Sequence, residues 1–174
     1  MARSTFQFFL VFSVINLTFI ISGGWWIALS SAGEKSNTFT GAWAANGTQT
    51  IVDFGENRHV ALFNLTGHVN LKDEIGTKKD YWAECIGLAD SATGSDIRCV
   101  WRSLDGQEIY IVLQTDQITP EKAVFGKIAG GTGTVKGITG LLKFDWTSLS
   151  MHEGNKSTAI SGYTNNLTGS FKLP

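Results

Sequence analysis

From Thr38 onward the chain is a succession of short runs rich in aromatic and β-branched residues, broken roughly every 8 to 12 residues by Gly, Asn or Asp. A pattern of that kind cannot be served by helices, because the apolar residues alternate and the breaks come too often for a helical turn to propagate. Twenty glycines and only 2 prolines supply turns without interrupting strand ladders. The run Phe39 to Ala45 leads into Asn46-Gly47, a strong hairpin signal, with Thr48 to Phe54 as the predicted return strand. Val60 to Leu71 follows, then a charged loop over Lys72 to Asp80, and Tyr81 to Ile86. A polar loop over Asp90 to Asp96 precedes Ile97 to Trp101, and Asp105-Gly106 turns the chain into Glu108 to Leu113. Ala123 to Ile128, Leu141 to Trp146, Thr158 to Tyr163 and Leu167 to Leu173 complete the set, with Asn165-Asn166 predicted to turn the last two. Hairpin-like order almost throughout favours closure, since a closed sheet leaves no unpaired edge. The expected fold is therefore all-β, one antiparallel and mostly up-and-down β-barrel of about eight strands over residues 33–174, preceded by one apolar N-terminal helix over residues 1–32.

The N-terminal segment carries no charge from Phe6 to Leu29, and Arg3 with the α-amino group forms its positive end. That arrangement places the rest of the chain on the far side of a membrane. Ser30-Ser31-Ala32 offers small residues for signal-peptide cleavage. The apolar run is also long enough to stay as a transmembrane anchor, with Trp25 and Trp26 at the membrane interface. A cleaved signal peptide and an uncleaved anchor both fit, and either predicts an exported, periplasmic or extracytoplasmic protein, secreted or tethered through that helix.

The two cysteines, Cys85 and Cys99, agree with export, because an oxidising compartment makes one disulfide their natural state. Buried free thiols are the alternative. No metal site is expected, since His59, His68 and His152 do not cluster with either cysteine. A formal charge of -1, with both signs interleaved, offers no cationic stripe for nucleic acid. Sequons at Asn16, Asn46, Asn64, Asn155 and Asn166 read as turn chemistry rather than as glycan sites.

Between two predicted strands lies a segment with five glycines in eleven residues: Gly130, Gly131, Gly133, Gly137 and Gly140. It lacks the Gly-Lys-Ser/Thr ending and the following helix of a phosphate-binding loop, so a barrel corner is the better account. The run Gly130-Gly131-Thr132-Gly133 through Gly137-Ile138-Thr139-Gly140 resembles the signature of small exported bacterial β-barrel proteins. It is also similar to the related turn of the allene oxide cyclase and dirigent barrel superfamily. The resemblance extends over roughly Tyr81 to Phe144, through Cys85 near Gly87, Cys99 before Trp101, and the Asp105-Gly106 turn. It implies an eight-stranded calycin-like barrel whose interior holds one apolar ligand. Thr134 and Val135 stand where the family has Lys and an aromatic residue, and no catalytic residue is carried over.

Catalytic constellations are thin. Asp90 with Asp96, and Asp105 with Glu108, are the carboxylate pairs near in sequence, and both lie at predicted turns, where Asp bends and caps the chain. His68, between Gly67 and Val69, is the histidine expected to face an interior, and no Ser lies in a Gly-x-Ser-x-Gly elbow. The aromatic residues Trp43, Trp82, Trp101, Tyr110, Phe125, Phe144 and Trp146 fall on separate strands and are expected to share one face of a curved sheet. They read either as ordinary core or, for Trp43, Trp82, Trp101, Tyr110 and Trp146, as a surface that receives a ligand or a partner. The function expected is a non-catalytic exported barrel, a binding or accessory subunit at the outer face of a membrane. It would need no cofactor and would associate with a membrane protein complex or an apolar small molecule. A small cyclase or isomerase acting on an apolar ligand and a secreted carbohydrate-binding or surface-binding module are the rivals.

Overall fold

A computed structural model describes residues 36–115, 123–150 and 157–174. The apolar segment, its small-residue cleavage site, Trp25, Trp26 and the sequons at Asn16 and Asn155 lie outside the described residues, as does His152.

Nine strands follow one another: β1 (Asn37–Asp53), β2 (His59–Asp73), β3 (Lys78–Asp90), β4 (Gly94–Ser103), β5 (Glu108–Thr115), β6 (Ala123–Gly131), β7 (Thr139–Asp145), β8 (Thr147–Ser150) and β9 (Ser157–Lys172). A single 3-10 turn over Gly133–Val135 sits between β6 and β7. Each strand from β1 to β6 pairs antiparallel with the next, β9 pairs with β7, and β9 also pairs with β1 along most of its length. The ring is therefore closed by eight strands. β8 continues the line of β7 along the same edge of β9, so the two are halves of one bent stave interrupted at Trp146. Closure leaves little free edge for edge-to-edge association: among the described residues the short β8 pairs on one side only.

Alternation along each strand decides which side chains enter the barrel. On β3, Tyr81, Ala83, Cys85 and Gly87 are buried, while Trp82, Glu84, Ile86 and Leu88 are exposed. Cys85 faces Cys99 directly across β3 and β4, and the two are joined as a disulfide with Cα atoms 4.1 Å apart. This is a bond of an oxidising compartment. In the barrel centre, the Trp43 ring lies 4.9 Å from Trp146, 5.6 Å from Phe144 and 6.5 Å from Trp101, centroid to centroid. Tilted and edge-on pairs at such separations are the arrangement that aromatic quadrupoles favour.

Three local expectations are corrected. Asn46-Gly47 does not turn the chain: β1 runs straight through it, with Asn46 opposite Thr66 and Gly47 opposite Leu65. Glycine is needed there for closeness, since a Cβ on Gly47 would stand 1.9 Å from the Asn64 carbonyl oxygen. Asn165-Asn166 likewise lies inside a continuous β9. Gly41 pairs with Leu167 and Trp43 with Thr164, so one residue of β1 faces two of β9 in a β-bulge. Asn166 occupies the resulting gap at the break between β7 and β8. Its Oδ1 accepts from the Asp145 amide at 2.9 Å and from Thr164 Oγ1 at 2.7 Å, and its Nδ2 donates to Asp145 Oδ2 at 2.6 Å. The broad polar loops are also narrower than expected. Only residues 74–77 separate β2 from β3, and 91–93 separate β3 from β4.

Candidate ligand cavities at the two barrel ends

The barrel has a proximal end, where β1 begins, and a distal end, where β1 passes into β2. The glycine-rich segment builds part of the proximal end. Gly130 sits at a bulge, since Tyr110 pairs with Gly130 and Ile111 with Ile128, leaving Ala129 unpaired. The 3-10 turn follows, with Gly133 at φ 59° and Gly137 at φ 79°, conformations that a side chain opposes. The chain then returns Ile138, 3% exposed, into the barrel mouth. The segment is a strand-to-strand corner that folds over the end of the barrel.

A proximal cavity of about 220 Å³ lies beneath it, walled by Phe39, Leu71, Trp101, Ile109, Ile128, Val135, Ile138 and Phe171, with Tyr81, Asp73, Thr77 and Lys79 supplying polar groups. A distal cavity of about 340 Å³ is walled by Trp43, Phe63, Leu65, Ile97, Leu113, Val124, Phe144, Trp146 and Ile160. Its polar lining is neutral: Gln49, Ser95, Thr115 and Ser148, with the Ser95 and Thr115 hydroxyls 2.8 Å apart. Trp43 lines the distal cavity and Trp101 the proximal one, so their neighbouring rings form the partition between them. Both indole Nε1–H groups are buried without an acceptor among the described residues. An unmatched buried donor costs about 1–3 kcal/mol, which makes these two groups unusual in a core.

The aromatic residues divide between the two faces instead of sharing one. Trp43, Trp101 and Phe144 are buried and Trp146 half-buried, whereas Trp82, Tyr110 and Phe125 point outward at 48%, 38% and 57% exposure. Strand phase explains the split: Cys85 and Cys99 point inward, and so Trp101 is in phase with the core while Trp82 is out of it. Tyr110 donates from its hydroxyl to Glu108 Oε2 at 3.1 Å, and Lys143 Nζ stands 5.4 Å above the Phe125 ring. His68 also faces outward, because Gly67 and Val69 hold the inward positions on either side of it. The Asn70 side-chain amide lies 3.2 Å from its Nδ1.

The carboxylates proposed as acid and base partners are each held ionised by a separate neighbour. Arg58 hydrogen-bonds and ion-pairs with Asp90, with Nε 2.9 Å from Oδ1, and the Ala92 amide adds a second donor at 2.9 Å. Those contacts hold the Asp90 carboxyl well below its ordinary range. Arg98 lowers Asp96, Ser103 followed by Gln107 lowers Asp105, and Arg102 followed by Tyr110 lowers Glu108. None of these carboxylates lines the distal cavity. Among the described residues no group of His, Cys, Asp and Glu is arranged to hold a metal ion.

Phe63, Ile97, Leu113, Val124 and Ile160 were not singled out by sequence, nor was Tyr81 as a wall of the proximal cavity. The phase of the two cysteines finds two of them: counting in steps of two from Cys99 reaches Ile97 and from Cys85 reaches Tyr81, while the others lie on strands that carry no cysteine.

No protein-family model and no curated protein matches the chain. Among solved structures it is similar to the pterocarpan synthase dirigent protein GePTS1, at a TM-score of 0.42 and 14% sequence identity over 80% of this chain and 86% of that one.

Proposed function

We propose that this chain is an exported, non-catalytic binding barrel at the outer face of a membrane, and that its distal cavity holds a neutral, apolar small molecule. The observation that carries the reading is the lining of that cavity: aromatic and aliphatic walls, four neutral polar side chains, and no ionisable side chain among the described residues. Its volume of about 340 Å³ lies within the range of ordinary small-molecule sites. A cyclase or isomerase would need an acid or base against its substrate, and none of the described residues of the wall supplies one. Export is supported by the uncharged run Phe6 to Leu29 and by the Cys85–Cys99 disulfide.

Native mass spectrometry tests the reading on the full chain purified from its source membranes in mild detergent. The expected result is an adduct of a neutral organic molecule that is absent from Ala61→Trp, a variant that fills the distal cavity from its wall. A wild-type protein that migrates as a free monomer with neither ligand nor partner overturns the proposal, as does an adduct retained in Ala61→Trp.

A further inference from the structure

We infer that the outer face of the barrel around Trp82 is a separate binding site, which takes a neutral saccharide whose pyranose rings carry equatorial hydroxyls. Trp82 is 48% exposed in the middle of β3, and strand phase points it away from the barrel interior. Two other outward aromatic rings are covered by cations: the Arg58 guanidinium carbon stands 4.9 Å from the Phe54 ring centre, and Lys143 Nζ 5.4 Å from that of Phe125. No cation and no second ring lies on Trp82 among the described residues. Its neighbours on the outer face are polar. His68 and Arg102 stand directly opposite it on β2 and β4. Asp80 and Glu84 are the outward residues on either side of it along β3, and their partners Asn70 and Thr66 on β2 complete the surround. Strand spacing and pleat put these groups about 5–7 Å from Trp82. Several hold one another in place: Arg102 bridges Glu108 at 2.9 Å and Glu84 at 3.5 Å, and Asn70 Nδ2 donates to Asp80 Oδ1 at 2.5 Å. Glu84 Oε1, Asp80 Oδ2 and the Thr66 hydroxyl have no hydrogen bond among the described residues and are left for a ligand. A pyranose with equatorial hydroxyls matches this pattern. Its ring C–H groups, partially positive, meet the negative face of the indole, and hydroxyls that both donate and accept radiate from its edge. A flat apolar molecule would cover the indole and leave polar neighbours unpaired. A protein-docking patch would gather further apolar side chains at its centre, whereas the next apolar residue outward on β3, Ile86, lies beyond Glu84.

The test titrates the full chain calorimetrically with cellotetraose, a chain of such pyranose rings, and with sorbitol, which has the hydroxyls without the ring face. Cellotetraose should bind with a Kd on the order of 0.1–1 mM, and sorbitol at least about tenfold more weakly. Trp82→Ala should weaken cellotetraose about tenfold or more, while Trp82→Phe, which keeps a flat ring, should retain most of the affinity. Trp82 is outside the core, so both variants should keep the wild-type urea midpoint. Ala61→Trp, which fills the distal cavity, should leave cellotetraose binding intact. The inference is overturned if cellotetraose does not bind, if sorbitol binds as tightly, if Trp82→Ala keeps the wild-type affinity, if Trp82→Phe binds no better than Trp82→Ala, or if Ala61→Trp abolishes binding. Since Ala61→Trp reports on the distal cavity and the Trp82 variants on the outer face, failure there and failure here are distinguishable.

Discussion

The Trp146 indole occupies the space in which a side chain on Gly162 would sit: a Cβ there would stand 2.5 Å from both Cε2 and Cζ2 of the ring. The pair joins the bend between β7 and β8 to the aromatic centre, because Trp146 also packs on Trp43 at 4.9 Å. Gly162→Ala must push the indole out of place, and overpacking of that kind costs about 1–3 kcal/mol. In a Trp146→Ala background the same change should be close to neutral. A double-mutant cycle by urea denaturation checks the coupling, and equal costs in both backgrounds would show that the contact contributes nothing.

The disulfide joins residues 14 apart in sequence, directly paired across β3 and β4. A cross-link closing a loop of that size stabilises by about 3 kcal/mol in the chain-entropy account. Cys85→Ala/Cys99→Ala should lose roughly that amount and become insensitive to dithiothreitol, whereas the wild type should drop to a similar stability when reduced. Thermal unfolding with and without reductant measures both.

Asp90 and Arg58 connect the β1–β2 turn to the β3–β4 turn, together with the amide of Ser91 donating to the His59 carbonyl at 3.0 Å. The folded chain holds Asp90 below its ordinary range, so the native state binds that proton less readily than the unfolded chain does. The contribution is therefore complete above the ordinary carboxylate range, near pH 4, and falls away as the pH drops through and below it. Asp96, Asp105 and Glu108 are shifted in the same direction and act with it. Urea midpoints measured from pH 7 downward should fall for the wild type below about pH 4. Asp90→Asn should start lower at pH 7 and show a flatter acid limb. An unchanged acid limb would mean that the ion pair does not contribute to stability.

At the glycine-rich corner, Gly137 has φ 79° and a Cβ there would also approach Pro174 Cγ at 3.1 Å. Gly137→Ala should destabilise by about 1–2 kcal/mol, the cost of a left-handed conformation for a residue with a side chain. Gly133→Asn should be better tolerated, as Asn visits that conformation more readily. Chemical denaturation ranks the two, and an Ala at 137 without cost would remove the need for glycine at this corner.

Alternation and turn residues were enough to read the strand composition, the closure into a barrel of about eight strands and the neighbouring placement of Cys85 and Cys99. These features are local, since each is set by a period of two or by a side chain suited to a turn. Asn46-Gly47 and Asn165-Asn166 misled for a shared reason. The same residues that make a tight turn also serve in a crowded or bulged strand, and only the partner strand distinguishes the two uses. Gly47 is glycine because the Asn64 carbonyl crosses so near, and Asn166 is there because β9 carries a bulge opposite a broken stave. Neither cause is visible in the nearest neighbours along the chain.

The candidate sites were less legible. Sequence named Trp43, Trp101 and Trp146 together with Trp82 and Tyr110, because aromatic character is the same on both faces of a sheet. Residue type and spacing by themselves determined a chain of antiparallel strands with two cysteines placed to meet. Tertiary structure alone decided which aromatic residues enter the barrel, that Trp43 lines one cavity and Trp101 another, and that the described lining of the distal cavity is neutral while that of the proximal one includes Asp73 and Lys79. The physical reason is that a cavity is a property of side chains from many strands, brought together only by the registers through which the sheet closes.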